Sequence, residues 1–188
     1  MKRMTTLPLL CCLTIAPIQA MASEQLVGES KAAIKEFMGQ LKGELKKGLK
    51  NGGPVNAIQV CSKTAAPIAK ATSQAKGLNM SRTSLKYRNP NNKPDAWEQA
   101  VLEKFDARKA AGEDVMKMDY SEVVTTDGKK TFRYMKAIPT AEKPCLMCHG
   151  SNLNPEVAAK LDELYPGDKA RGFKAGDIRG AFSISKDL

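Results

Sequence analysis

The chemistry of this 188-residue chain is concentrated in one run of five residues, Cys145-Leu146-Met147-Cys148-His149. Two thiols with two residues between them can add across the two vinyl groups of one porphyrin. An imidazole directly after the second thiol is then held beneath the iron, and C-x-x-C-H is the signature of that covalent attachment. With five cysteines and one histidine in the chain, roughly 0.0007 such runs are expected by chance. The sole histidine lies inside the motif. Rival uses of the cysteine pair lack their other parts. A zinc site takes four ligands, usually as two pairs, and no second pair is present. A thioredoxin-like redox pair opens a helix after a strand in a βαβ unit, and that pattern is missing. The motif therefore implies one covalently attached haem c, thioether-linked at Cys145 and Cys148, with His149 on the iron.

For the opposite face of the iron, composition excludes a second histidine. Met38, Met80, Met116, Met118 and Met135 are typical core filler, and Met147, inside the motif, cannot reach around the ring. Cys61 is the thiol left over once the pair is used. On the residues alone it is either a distal iron ligand or a buried inert cysteine. Porphyrin propionates need cations, and arginine pairs bidentately with carboxylates. Arg82 and Arg88 are the first candidates, with Arg133, Arg171 and Arg179 behind them; the alternative is a solvated basic face. Tyr87 and Trp97 are either haem walls or plain core.

The elements that must position these groups follow from periodicity. Leu26, Ile34, Phe37, Met38, Leu41, Leu45 and Leu49 fall at steps of mostly three and four, which predicts a long amphipathic helix over 24–50 ending at Asn51-Gly52-Gly53. Gly39 and Gly43 read as a close-packing face. Pro54 opens a second helix over 54–65 carrying Val55, Ile58 and Cys61, and Pro67 should kink or restart it. A strand over 78–85, a loop over 88–94 and a helix over 94–111 follow. Strands over 115–125 and 130–138 flank Asp127-Gly128, a hairpin signal. A helix over 155–164 and a strand over 178–184 close the chain. Helices with antiparallel strands make the class α+β.

The first residues read as an address. Lys2-Arg3, the apolar run Leu7–Ile18 and Ala20-Met21-Ala22 form a signal peptide over 1–22, cleaved before Ser23. The run is too short for a membrane span, and a lipoprotein site at Cys11 or Cys12 fits poorly. One domain over 23–188 is expected, soluble in the periplasm and without stable membrane insertion. Cleavage leaves Cys61, Cys145 and Cys148, an odd number in an oxidising compartment. The formal charge of +10 loses Lys2 and Arg3 and stays strongly positive. This favours electrostatic docking on an acidic redox partner, whereas nucleic acid is a poor match for an exported chain.

Four stretches carry a family resemblance: Ala57-Ile58-Gln59-Val60-Cys61 leading to Ala66-Pro67; Arg82 to Pro90 leading to Trp97-Glu98; Cys145 to Gly150; and Tyr165 to Ala170 running to Gly176–Ala181. The chain resembles the stand-alone c-type haem proteins with a PAS-like fold, a domain also found as the periplasmic sensor half of signalling proteins. The resemblance implies a PAS-like antiparallel sheet flanked by helices, with the long N-terminal helix of that family. It also implies histidine and cysteine ligation, on His149 and Cys61. No output module is expected after Leu188. The resulting expectation is a monohaem cytochrome acting in one-electron transfer or redox sensing. Alternatives are a sensor of a diatomic gas such as NO or CO with a labile distal cysteine, and, less well supported, a haem enzyme, since no distal histidine is available as acid or base.

Overall fold

The computed structural model describes residues 16–188, with side chains from residue 21 onward. Most of the leader expected over 1–22 therefore lies outside the described residues. Helix α1 (Ala16–Lys76) is two arms joined at Gly52-Gly53. Gly53 takes φ +67°, which a glycine adopts without Cβ strain. The arms fold back on each other closely: a Cβ at Gly48 would stand 2.9 Å from the Ala57 Cα. Asn56 Nδ2 donates to the Gly48 carbonyl across the turn (3.0 Å). The second arm extends past the 54–65 read from the sequence and runs on to Lys76 with Pro67 inside it. Packing overrides the proline here, because Ile68 and Ala69 beyond it rest on the main core.

Four strands, β1 (Asn79–Thr83), β2 (Asp119–Thr126), β3 (Lys129–Pro139) and β4 (Ile178–Asp187), form one antiparallel sheet in the order β1-β4-β3-β2. β2 and β3 join through Asp127 and Gly128, both at positive φ (51° and 76°), the two-residue turn expected of that dipeptide. Strand β1 is shorter than 78–85 because Ser84 turns out of the sheet: its Oγ donates to the Arg179 carbonyl (2.8 Å) and its N–H to the Asn92 carbonyl (3.1 Å). The strand expected from 115 starts only at Asp119. The Asp114 carboxylate accepts from the Met116 N–H and holds Val115–Lys117 in a 3₁₀ turn.

Side chains alternate across the pleat, so each sheet face meets a different layer. Phe132, Tyr134, Phe182 and Ile184 face the first arm of α1, where Phe37 meets Phe182 edge to face at 5.7 Å. Met135, Ala137 and Ala181 face α2 (Ala96–Ala110), which presents Val101, Leu102 and Phe105. An Asp95/Glu98 capping box starts α2. A third, smaller cluster joins Ile58 of the second arm to Val157 and Leu161 of α4 (Pro155–Leu164). The α+β class, the antiparallel sheet and the long N-terminal helix agree with the PAS-like architecture expected. Among the described residues no helix is long and apolar enough to cross a membrane.

Candidate functional site

Leu146–His149 form a single short helical turn, α3, so Cys145, Cys148 and His149 occupy adjacent positions on one scaffold. The segment 168–173 holds that turn in place. Phe173 N–H donates to the His149 carbonyl (2.9 Å) and Gly172 N–H to the Gly150 carbonyl (3.1 Å). Both motif cysteines are free thiols, as is Cys61 on the second arm of α1, and all three are partly buried. Cys148 packs on the Ile58–Val157–Leu161 cluster, one helical turn from Cys61. The second arm thus brings Cys61 to the motif's side of the molecule, within electrostatic reach of the Cys148 thiol.

His149 is oriented by its neighbours. Its Nδ1 lies 2.8 Å from the Ala170 carbonyl, an acceptor only, so Nδ1 carries the proton and Nε2 keeps its lone pair. Burial, with Arg179 and Arg88 adding repulsion, pushes the imidazole down to about 3. It is neutral at physiological pH. A neutral imidazole that keeps its Nε2 lone pair, with its other nitrogen pinned to a carbonyl, is a ready metal ligand. Among the described residues no three His, Cys, Asp or Glu side chains converge as they would around a bare ion.

Asp168 organises the polar floor of the site with its side chain only 2% exposed. Its Oδ1 accepts the Ala170 N–H (2.8 Å) and pairs with Arg88 Nε (3.1 Å), and its Oδ2 accepts from Arg171 Nε (2.9 Å). Burial opposes its charge, but hydrogen bonds from Arg88 and Arg171 overcome that and hold the carboxyl below its ordinary range. Arg88 also donates from Nη2 to the Cys148 carbonyl (2.6 Å) and the Ala170 carbonyl (3.2 Å). This arginine, a candidate for a ligand carboxylate, is engaged with the motif's own backbone.

The other candidates separate by sheet face. Arg82 extends from β1 on the α1 face, its guanidinium 5.3 Å from the Phe37 ring centroid. Arg179 reaches the motif from β4, with Nε 3.5 Å from His149 Nε2. Arg133 stays on the α2 side, paired with Asp95 (2.6 Å) and stacked 4.2 Å over Trp97, which donates to Glu122. That places Trp97 away from the motif. Tyr87 lies beside it, since its carbonyl accepts the Lys169 N–H. Met80, Met118 and Met135 are buried in the sheet core, and Met116 is 65% exposed. Sequence reasoning gave Asp168 and Phe173 no role, although Asp168 stands inside one of the stretches that carried the resemblance.

These residues fit a covalent porphyrin. Two free thiols and a neutral imidazole share one turn, a third thiol approaches from another element, and the half-buried Arg82, Arg88 and Arg179 lie around them. No curated protein matches the sequence. A solved structure, the crystal structure of the cyanobacterial heme-protein Tll0287, is similar at 25% identity and a TM-score of 0.63, covering 92% of this chain and 98% of that one. The sequence matches the Tll0287-like family model across residues 18–186, every residue of the candidate site among them, and the chain belongs to that family.

Proposed function

We propose that this chain is an exported c-type haem protein, one haem bound through Cys145 and Cys148, with His149 and Cys61 as axial ligands, serving one-electron transfer or redox sensing rather than substrate turnover. One observation carries the reading: a neutral, oriented His149 shares a short turn with two free thiols inside a basic, buried cluster. The similar solved structure is described as a heme-protein, which supports the same cofactor here.

Bound haem would supply a one-electron iron couple; the residues do the remainder. The Ala170 carbonyl fixes the His149 tautomer, and Asp168 fixes Ala170. A Cys61 thiolate would favour ferric over ferrous iron and lower the potential relative to methionine. The positive formal charge supports an acidic partner protein, and the leader-like N-terminus supports the periplasm.

A specific observation also favours gas sensing. Burial pushes the Cys61 thiol up, with Arg82 only partly opposing it. A thiol inclined to hold its proton leaves reduced iron more readily and opens a position for CO or NO. Absorption spectra of exported, haem-matured protein test both readings: ferric, dithionite-reduced, then reduced under CO. A c-type spectrum unchanged by CO favours electron transfer, and prompt CO binding favours sensing. Absence of covalent haem refutes the proposal.

A further inference from the structure

Arg88 and Arg179 meet the C-x-x-C-H turn and Arg82 lies on the Cys61 side of the site, and their partners distinguish them. Arg88 is ion-paired with Asp168 and donates from Nη2 to the carbonyls of Cys148 and Ala170. Arg179 meets only neutral groups: Ser84 Oγ (3.2 Å) and the Lys86 carbonyl (3.3 Å) from Nη1, His149 Nε2 from Nε, and the Phe173 ring 5.4 Å away. Arg82 has the face of Phe37 and lies within electrostatic reach of Cys61 and Tyr165. Among the described residues neither Arg82 nor Arg179 forms an ion pair.

Their exposure makes this expensive. Both residues are half-buried, and a partly desolvated charge without a counter-charge destabilises a fold. Two forked cations therefore stand on the Cys61 and His149 sides of the candidate site, neither in an ion pair among the described residues. Guanidinium forks match carboxylates in shape as well as charge.

We propose that Arg82 and Arg179, rather than Arg88, receive the two carboxylates of the porphyrin attached at Cys145 and Cys148. The assignment rests on the haem reading above. Both are positioning residues: they would fix the orientation of the ring and hold positive charge near the iron. Arg88 holds the turn itself.

The test uses haem-matured protein and reads midpoint potential against pH. Wild type should show a potential free of any carboxylate titration above about pH 5, because paired carboxylates stay ionised there. Arg82→Gln and Arg179→Gln should keep covalent haem, lower the potential as a cation near iron is lost, and bring a pH-dependent bend into the range of ordinary carboxylates. Arg82→Lys and Arg179→Lys should restore most of the potential. Lys46→Gln, exposed on α1, should match wild type. Glutamine variants with wild-type potentials and pH profiles overturn the assignment.

A second measurement needs no arginine variant. The Cys145→Ser/Cys148→Ser protein, titrated with protohaem and with its dimethyl ester, should bind the diacid at least about tenfold more tightly, one charge-assisted pair's worth. Equal affinities overturn the clamp. Wild type that matures without a c-type spectrum defeats the haem reading itself; a normal c-type spectrum without ester discrimination defeats the clamp alone.

Discussion

Asp168→Asn is the most informative single change outside the motif. The carboxylate accepts the Ala170 N–H and Arg171 Nε and forms an ion pair with Arg88 Nε (3.1 Å). Asparagine is nearly isosteric, but it carries no charge and one carbonyl oxygen, so it cannot serve both arginines. The two losses are unequal. Arg171 is 31% exposed and keeps Asp162 as a partner, so its share is that of a surface pair, about 0–1 kcal/mol. Arg88 is 12% exposed, and Asp168 is its only carboxylate. Removing one partner of a buried pair costs about 3–5 kcal/mol, and the two carbonyls that Arg88 retains place the sum near the lower end, about 3 kcal/mol.

Urea unfolding of the matured protein at neutral pH reads this directly, with Arg171→Gln as the comparison at about 1 kcal/mol or less. The pH dependence supplies a second check. A carboxyl whose folded pKa lies below its unfolded value near 3.9 contributes fully above that value, and the contribution disappears as pH falls through the folded one. Wild type should therefore lose stability below about pH 4 more steeply than Asp168→Asn. Because Asp168 also fixes Ala170, and Ala170 fixes His149, the variant's haem spectrum should broaden. A neutral-pH loss under about 1 kcal/mol, with an acid limb parallel to wild type, refutes the view that this pair holds the motif.

Three further outcomes are expected. Cys61→Ser should retain covalent haem, since the attachment thiols are untouched, and should change the ferric spectrum; an identical spectrum removes Cys61 from the iron. Cys148→Ala should lose double attachment and shift the reduced absorption maximum to that of a singly linked haem, whereas an unaltered haem yield sinks the motif assignment. Gly180→Ala should destabilise the β1–β4 junction by more than 3 kcal/mol, about the range for severe backbone strain and overpacking combined. Its φ is +152°, and a Cβ there would stand 2.3 Å from the Thr83 carbonyl oxygen. Thermal unfolding of that variant within about 1 kcal/mol of wild type contradicts the close approach.

What could be read from the sequence was local. Residues 145–149 declare their chemistry because the reaction itself demands adjacent groups at fixed spacing. Asp127-Gly128 declares its turn because both positions need positive φ. The apolar steps from Leu26 to Leu49 mark one helix face, and the Gly52-Gly53 break appears where composition placed it. The readings that moved were settled by contacts from afar. The second arm passes Pro67 because Ile68 and Ala69 have a core to rest on, and nothing in the nearby residues says so.

The arginines make the same point about function. Composition offered several cations and no rule for choosing among them. Arg88 and Arg179 differ in what lies 30 to 95 residues away: Cys148, Ala170 and Asp168 for the first, Ser84, Lys86 and His149 for the second. A guanidinium answered by a buried carboxylate and two carbonyls is part of the scaffold. One answered only by neutral acceptors still has charge to offer. That distinction depends on which strand each residue leaves and which loop crosses it, so it belongs to topology, and it separates the arginine that holds the motif from those that face its ligand.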